Sequence, residues 1–223
     1  MENLAAEITA QGYAVRELLQ PETCAAIVAL YDRDENFRSR VVMARHGFGR
    51  GEYKYFAYPL PDPVARLRAA LYPPLARLAN DWAVALGQDQ RFPDTLRAYT
   101  AQCHAAGQTR PTPLLLRYGP DDYNCLHQDL YGAMVFPFQL AILLNEPGSD
   151  FTGGEFLLVE QRPRMQSRAE VIALRQGDGV IFPVHHRPVK GTRGFYRTMM
   201  RHGVSRLRSG QRHTLGIIFH DAA

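Results

Sequence analysis

Apolar residues recur along this chain with two different periods, and the change from one to the other divides it. Leu4, Ala5, Ile8 and Thr9 share one face of a helix predicted over residues 2–11, which Gly12 ends before the strand-like run Tyr13-Ala14-Val15. Pro21-Glu22-Thr23 opens a second helix through about Tyr31, the proline sitting in the first turn where its missing N–H costs nothing. From 37 to 60 the pattern is β-like and aromatic. Val41-Val42-Met43 and the run 53–58 flank the turn-rich 45–51, which predicts a hairpin with a flexible basic tip. Residues 62–86 return to a helical period, with Leu67, Leu71, Leu75, Leu78, Trp82 and Leu86 near one stripe. Pro73-Pro74 removes two backbone donors from that stripe, so two short helices are expected there. The segment 95–108 is ambiguous, with a helix as one reading.

Beyond Arg110-Pro111-Thr112-Pro113 the helical period gives way to short β-type runs at 114–118, 123–128, 138–144, 155–159, 169–174, 179–183, 201–205 and 214–220. Turn residues separate them, among them Asn145-Glu146-Pro147-Gly148, Thr152-Gly153-Gly154 and Gln176-Gly177-Asp178-Gly179. About eight short strands so spaced predict an α+β fold whose core is a double-stranded β-helix, or jelly roll, with N-terminal supporting helices. No repeat or linker interrupts the chain. The expectation is one domain over 1–223, with 1–113 as helical support and basic hairpin and 114–223 as the jelly-roll core.

Composition adds limits. No apolar run approaches the eighteen or so residues of a membrane span, and the acidic start Met1-Glu2-Asn3 lacks the basic region of a signal peptide. A cytoplasmic location without a membrane partner is expected. Cys24, Cys103 and Cys125 are odd in number and lack C-x-x-C spacing, so they are expected as free thiols, mainly buried. The net charge of +4 matters less than its placement. Eight Lys or Arg and no acid lie between 187 and 213, and five against Glu52 lie between 36 and 58. These are either solvated faces or an anion-binding surface.

The chemistry concentrates at His127-Gln128-Asp129. An imidazole and a carboxylate two residues apart project from one side of a strand, which supplies part of a metal site. Non-heme Fe(II) oxygenases complete such a site with a second histidine and leave the remaining positions open. His202 is the candidate third ligand, since it opens a strand and Arg212 follows ten residues later at the head of another. His185 and His186 compete by spacing, with Arg197 eleven residues after His186, but Arg197 leads into no comparable apolar strand. Otherwise they form an exposed loop pair or contact a substrate at a cavity mouth. The simplest alternative for His127 and Asp129 is a hydrogen-bonded structural pair.

His127-x-Asp129, His202 and Arg212 together resemble the Fe(II)/2-oxoglutarate-dependent oxygenases. Gly153-Gly154-Glu155-Phe156, Gly177-Asp178-Gly179 and His202-Gly203-Val204 are similar to bacterial nucleic-acid-related members of that superfamily. Arg117-Tyr118 ahead of His127-Gln128-Asp129 partly resembles the AlkB dealkylases. The chain departs from AlkB at Ile218, where those enzymes carry a second arginine, at Tyr131, where they carry an acid, and at Leu116, where they carry an asparagine.

The resemblance implies Fe(II) on His127, Asp129 and His202, with 2-oxoglutarate and O2 as cosubstrates. It also implies that Arg212 and Tyr118 bind the 2-oxoglutarate, Arg212 through a bidentate guanidinium. For substrate it implies DNA or RNA, dealkylated oxidatively as in DNA alkylation repair. Substrate contacts are expected from Tyr131 and Asn124 near the metal and from Arg45, Arg50, Arg193 and Arg197; a groove of these arginines and Arg38 converging on the cavity mouth would favour nucleic acid, and their scatter over opposite faces a peptide or small molecule. Hydroxylation of a peptidyl side chain or small metabolite is the second reading, because the His-to-Arg interval is nearer that of prolyl hydroxylases. A non-catalytic, cupin-like binding module is the third.

Overall fold

A computed structural model describes residues 3–223, so the first two positions of the chain, including the start of the 2–11 helix, lie outside the described residues. Helix α1 (Leu4–Gln11) ends on Gly12, whose φ of 92° no β-carbon would favour. Strand β1 (Ala14–Glu17) and helix α2 (Pro21–Val28) follow as expected. The 37–60 region forms β2 (Phe37–Val42), β3 (Gly49–Arg50) and β4 (Glu52–Phe56), with β2 pairing β4.

The proline pair does not split the next helix. α3 (Asp62–Ala85) runs unbroken for 24 residues, contrary to the expectation of two helices. Val64, Leu71, Tyr72, Leu75, Leu78, Ala79 and Trp82 are all buried along it, on both sides of Pro73-Pro74. That continuous apolar face outweighs the loss of two backbone hydrogen bonds. The ambiguous segment is helical. In α4 (Leu96–Ala105) the Thr95 hydroxyl accepts from the Ala98 N–H as an N-cap.

The remaining strands are β5 (Leu114–Tyr118), β6 (Tyr123–His127), β7 (Phe138–Leu143), β8 (Phe151–Gly153), β9 (Phe156–Gln161), β10 (Ser167–Ile172), β11 (Asp178–Pro183), β12 (His186–Gly191), β13 (Gly194–Val204), β14 (Leu207–Gly210) and β15 (Arg212–Ile218). They build two main antiparallel sheets. One has the order β1-β11-β7-β15-β5-β4-β2, the other β10-β9-β13-β6-β3 with β12 added on β13, and β8 pairs β14 apart from both. Segments expected as outer support therefore supply strands to the sheets, and the helices are the minor part.

Period-2 alternation sorts the central strands. Leu115, Leu140, Ile142, Leu215 and Ile217 face the helices and join Ile8, Leu71, Leu75 and Trp82 in the main core. Their alternates Leu114, Leu116, Tyr118, Gln139, Ala141, Thr214 and Gly216 face the second sheet and line a cavity between the two. β7 and β15 are buried along their whole length, which explains why their sequence reads as continuous rather than alternating apolar runs.

Two expectations about strand ends need revision. β13 begins at Gly194 rather than near 201, and His186 opens β12 instead of lying in an exposed loop; His185 and His186 are both half-buried. The basic hairpin tip is not free either. Gly49 pairs Asn124 and Arg50 pairs Tyr123, so the tip crosses to the second sheet and is fastened to β6. Cys24 and Cys103 are buried free thiols, and Cys125 is a free thiol at the surface.

Candidate metal centre and cavity

β6 and β13 run side by side with His127 directly opposite His202, their ring centroids 4.2 Å apart. Asp129 lies two residues past His127, just beyond the end of β6, and turns back towards both rings. One ligand atom from each of His127, Asp129 and His202 lies within 4.8 Å of the others, a spacing that a single ion can bridge. His127 Nε2 is 3.5 Å from Asp129 Oδ1, and His202 Nε2 is 3.4 Å from Oδ2.

Surrounding groups fix these three side chains. His127 Nδ1 lies 2.8 Å from the Cys125 carbonyl and donates to it, which leaves Nε2, on the Asp129 side, as the ring atom that would meet an ion. The Tyr131 hydroxyl donates to Asp129 Oδ1 at 2.7 Å and the Gln139 amide donates to Oδ2 at 2.9 Å. Burial pushes the Asp129 carboxyl upwards, but hydrogen bonds and charge from His127 and His202 outweigh it and hold the group well below the usual carboxylate range. Burial opposes the charge on His127 also, yet Asp129 prevails and raises it, whereas burial and the neighbouring His127 lower His202.

The cavity above this cluster has a volume of about 320 Å³. Tyr53, Leu114, Leu116, Ala141, Phe156 and Val204 give it apolar walls, and Tyr118, Asn124, Gln139 and Thr214 place polar atoms in it. Behind Thr214 lies Arg212, only 1% exposed, with no acidic side chain in ion-pair range among the described residues. Its Nη1 donates to the Thr214 hydroxyl at 2.5 Å, its Nε has no partner, and neither does the Tyr118 hydroxyl directly across the β15–β5 ladder. Burial lowers the Arg212 guanidinium to about 10 and raises the Tyr118 phenol to about 12. A buried cation beside an orphaned hydroxyl is incomplete without an anion, and a carboxylate fits both donors.

Of the residues predicted from sequence, His127, Asp129, His202, Tyr118, Tyr131 and Asn124 all line or floor this one cavity, with Arg212 behind it. Arg45 and Arg50 are exposed on the tip whose Gly47 and Phe48 form part of the cavity wall. Arg193 and Arg197 do not converge there. Along β13, Gly194, next to Arg193, is eight residues from His202, roughly 26 Å of strand, and Arg197 is five residues from it, roughly 17 Å. Arg197 instead borders a second depression with His185, His186, Trp82 and Leu130.

Gln139 and Thr214 were missed in the sequence. A lone amide at an alternate position of the apolar run 138–144, and a hydroxyl two residues after Arg212, are the signals that point to them. Gln108 was missed as well. It donates to the Tyr131 and Met134 carbonyls and accepts from the Met134 N–H at 2.7 Å, pinning the segment that carries Tyr131.

Comparison with known proteins agrees with this geometry. A family model described as "Oxygenase, catalysing oxidative methylation of damaged DNA" matches residues 51–222. An uncharacterized protein of Mycobacterium tuberculosis is 53% identical over 168 residues, covering 75% of this chain and 72% of its own. Among solved structures, a Pseudomonas putida prolyl-4-hydroxylase aligns with a TM-score of 0.54 at 14% identity, covering 99% of this chain and 97% of that one. A 2OG-Fe(II) oxygenase family oxidoreductase from Burkholderia pseudomallei aligns at 0.53 and 18%, covering 99% and 92%. At these identities the likeness is one of fold, the jelly roll of 2-oxoglutarate oxygenases.

Proposed function

The chain belongs to the Oxygenase-NA family, an Fe(II)- and 2-oxoglutarate-dependent oxidoreductase that uses O2, and from that premise we propose that it dealkylates damaged nucleic acid oxidatively. The observation that carries the reading is the convergence of His127, Asp129 and His202 on the floor of a largely apolar cavity.

In this reading the three residues hold Fe(II). The donor set fits that ion, since two imidazoles and a carboxylate approach from one side and the cavity lies on the other. Arg212 and Tyr118 receive the far carboxylate of 2-oxoglutarate, and Thr214 steers the guanidinium through its hydrogen bond. When bound, iron and 2-oxoglutarate supply the oxidation that places one atom of O2 in a substrate C–H bond, with succinate and CO2 as co-products. The protein's own part is geometric. Tyr131 and Gln139 keep the Asp129 carboxylate in one orientation and ionised. Leu114, Leu116, Ala141, Phe156 and Val204 keep water from the reacting carbon. A carbon so hydroxylated on a base nitrogen is a hemiaminal, and it collapses to formaldehyde and the bare base.

Asn124 and Tyr131 stand where a base would enter, and Arg45 and Arg50 stand where its phosphates would pass. Arg193 and Arg197 would serve only a strand long enough to reach the β12–β13 end. The alternative substrate is a peptidyl side chain, favoured by the ten-residue interval from His202 to Arg212.

Formaldehyde release from N-methylated oligonucleotides, with matching 2-oxoglutarate consumption, tests the proposal. Turnover that stays at the substrate-free rate with oligonucleotides, but rises with a proline-containing peptide, would replace it with the alternative.

A further inference from the structure

Three large apolar side chains stand exposed where β3 pairs β6: Phe48, just before β3, at 48%, and Leu126 at 45% and Tyr123 at 37% on β6. Phe48 and Leu126 also line the cavity, so the patch is continuous with its wall. Apolar surface concentrated at an opening marks a place that something else covers.

The patch is held in place. The Phe48 carbonyl accepts from the Cys125 N–H at 2.9 Å, two residues before His127. Gly49 has a φ of 131°, and a β-carbon there would come within 2.3 Å of the Tyr123 carbonyl, so only glycine lets the tip lie this close to β6. The Phe48 ring stacks on the His46 ring, centroids 5.3 Å apart and planes 23° from parallel. Two stacked rings therefore stand beside the cavity as a rigid platform.

Two exposed guanidinium groups lie in the same tip. Arg45 and Arg50 are exposed, one before the pair in sequence and one after it; Arg45 has no ion-pair partner among the described residues, and Arg50 forms a long ion pair with Asp122 at 3.8 Å. An aromatic face with exposed guanidinium groups before and after it in the chain matches a nucleotide strand, whose bases stack and whose phosphates need cations. A proline-containing peptide would use the rings and leave both charges idle.

We infer that the 45–50 tip is a docking platform for single-stranded nucleic acid: the base next to the modified one stacks on Phe48, and Arg45 and Arg50 hold the phosphates on either side. This rests on the nucleic-acid reading above and gives it a strand preference. In a duplex the neighbouring base is already stacked and paired, so the platform has nothing to offer it.

The test is anisotropy of a labelled, N-methylated single-stranded oligonucleotide with the Fe(II)- and 2-oxoglutarate-loaded enzyme held under nitrogen. Phe48→Ala is expected to weaken binding roughly tenfold, and Phe48→Trp to restore it to within about threefold of the native protein. Arg45→Gln with Arg50→Gln is expected to flatten the salt dependence, log affinity against log salt, by roughly 1.4, two single-strand phosphate contacts' worth. The matching duplex is expected to bind the native protein more weakly than the single strand.

If the native protein binds and demethylates the oligonucleotide while Phe48→Ala and the double variant bind it equally well, the platform is overturned and the nucleic-acid reading stands. Equal or tighter binding of the duplex overturns the strand preference in the same way. If the native protein neither binds nor demethylates any oligonucleotide, both fall together.

Discussion

Gln139 Nε2 lies 2.9 Å from Asp129 Oδ2 and 3.1 Å from His202 Nε2, so a single amide spans two of the three donor residues. One of its hydrogens restrains the carboxylate. The same amide nitrogen lies against His202 Nε2 and holds that ring atom on the side of the cluster. Gln139→Met keeps the volume and removes the donors. It is expected to lower Mn(II) affinity, read from the EPR signal of the free ion, by about 10- to 100-fold. Affinity within twofold of the native protein would reduce Gln139 to a cavity wall.

Tyr131 was expected to touch substrate, and its hydroxyl is committed to Asp129 Oδ1. Tyr131→Phe preserves the ring and deletes that charge-assisted hydrogen bond, worth about 1.5–3 kcal/mol. Metal affinity should fall at least tenfold by titration calorimetry. A variant whose metal affinity is unchanged, but whose KM for substrate rises, would return Tyr131 to the substrate role alone.

Arg212 is a buried cation with no acidic side chain in ion-pair range among the described residues, an arrangement that costs stability until an anion arrives. Arg212→Met, packed against Tyr118 and Phe151, is expected to raise the melting temperature of the protein without cosubstrate by about 3–8 °C. The further rise that 2-oxoglutarate gives the native protein should disappear. A lower melting temperature with the 2-oxoglutarate response intact would make Arg212 a structural residue.

Ligand removal should be all or none. His127→Ala and His202→Ala each leave two donors, too few to retain a divalent ion, and 2-oxoglutarate consumption should fall to the level of chelator-treated native protein. Consumption that survives in either variant would require a different third ligand, and His185 or His186 would be next in line.

His213 and His220 are buried and neutral, and burial, with nearby arginines, lowers both to about 4. The His220 Nδ1 accepts from the Phe136 N–H at 3.2 Å, which requires the unprotonated ring. The unfolded chain takes up these protons near 6.5 and the folded chain does not until about 4. Stability should therefore be complete above pH 6.5 and fall as the pH drops through that window, on the order of 3 kcal/mol for each ring. Urea unfolding at a series of pH values should show the decline. Replacing both histidines by glutamine should flatten it, and an unchanged slope would place the acid sensitivity elsewhere.

The extent to which this protein could be read from its residues follows from how local each signal is. Strand and helix periods are properties of neighbouring residues, and they located β5, β7, β11 and β15 within a few positions. His127, Asp129 and His202 were legible as a metal-binding set because metal chemistry demands those side chains, and the resemblance linked their spacing. Pro73-Pro74 misled for the same local reason: the lost donors are visible in sequence, while the continuous packing that carries α3 across them is not.

Sequence by itself determined the chemical groups available and the alternation that turns Gln139, Ala141 and Leu143 to one side of β7. Tertiary structure alone decided which groups meet. Gln139 reaches His202 across 63 residues, and the tip between β2 and β4 leaves their sheet to pair Gly49 with Asn124 in the other. It also decided that Arg193 and Arg197 lie towards the β12–β13 end, away from the tip that carries Arg45 and Arg50. Such pairings are set by sheet order and register, which depend on the packing of the whole apolar core and have no counterpart in any short stretch of chain.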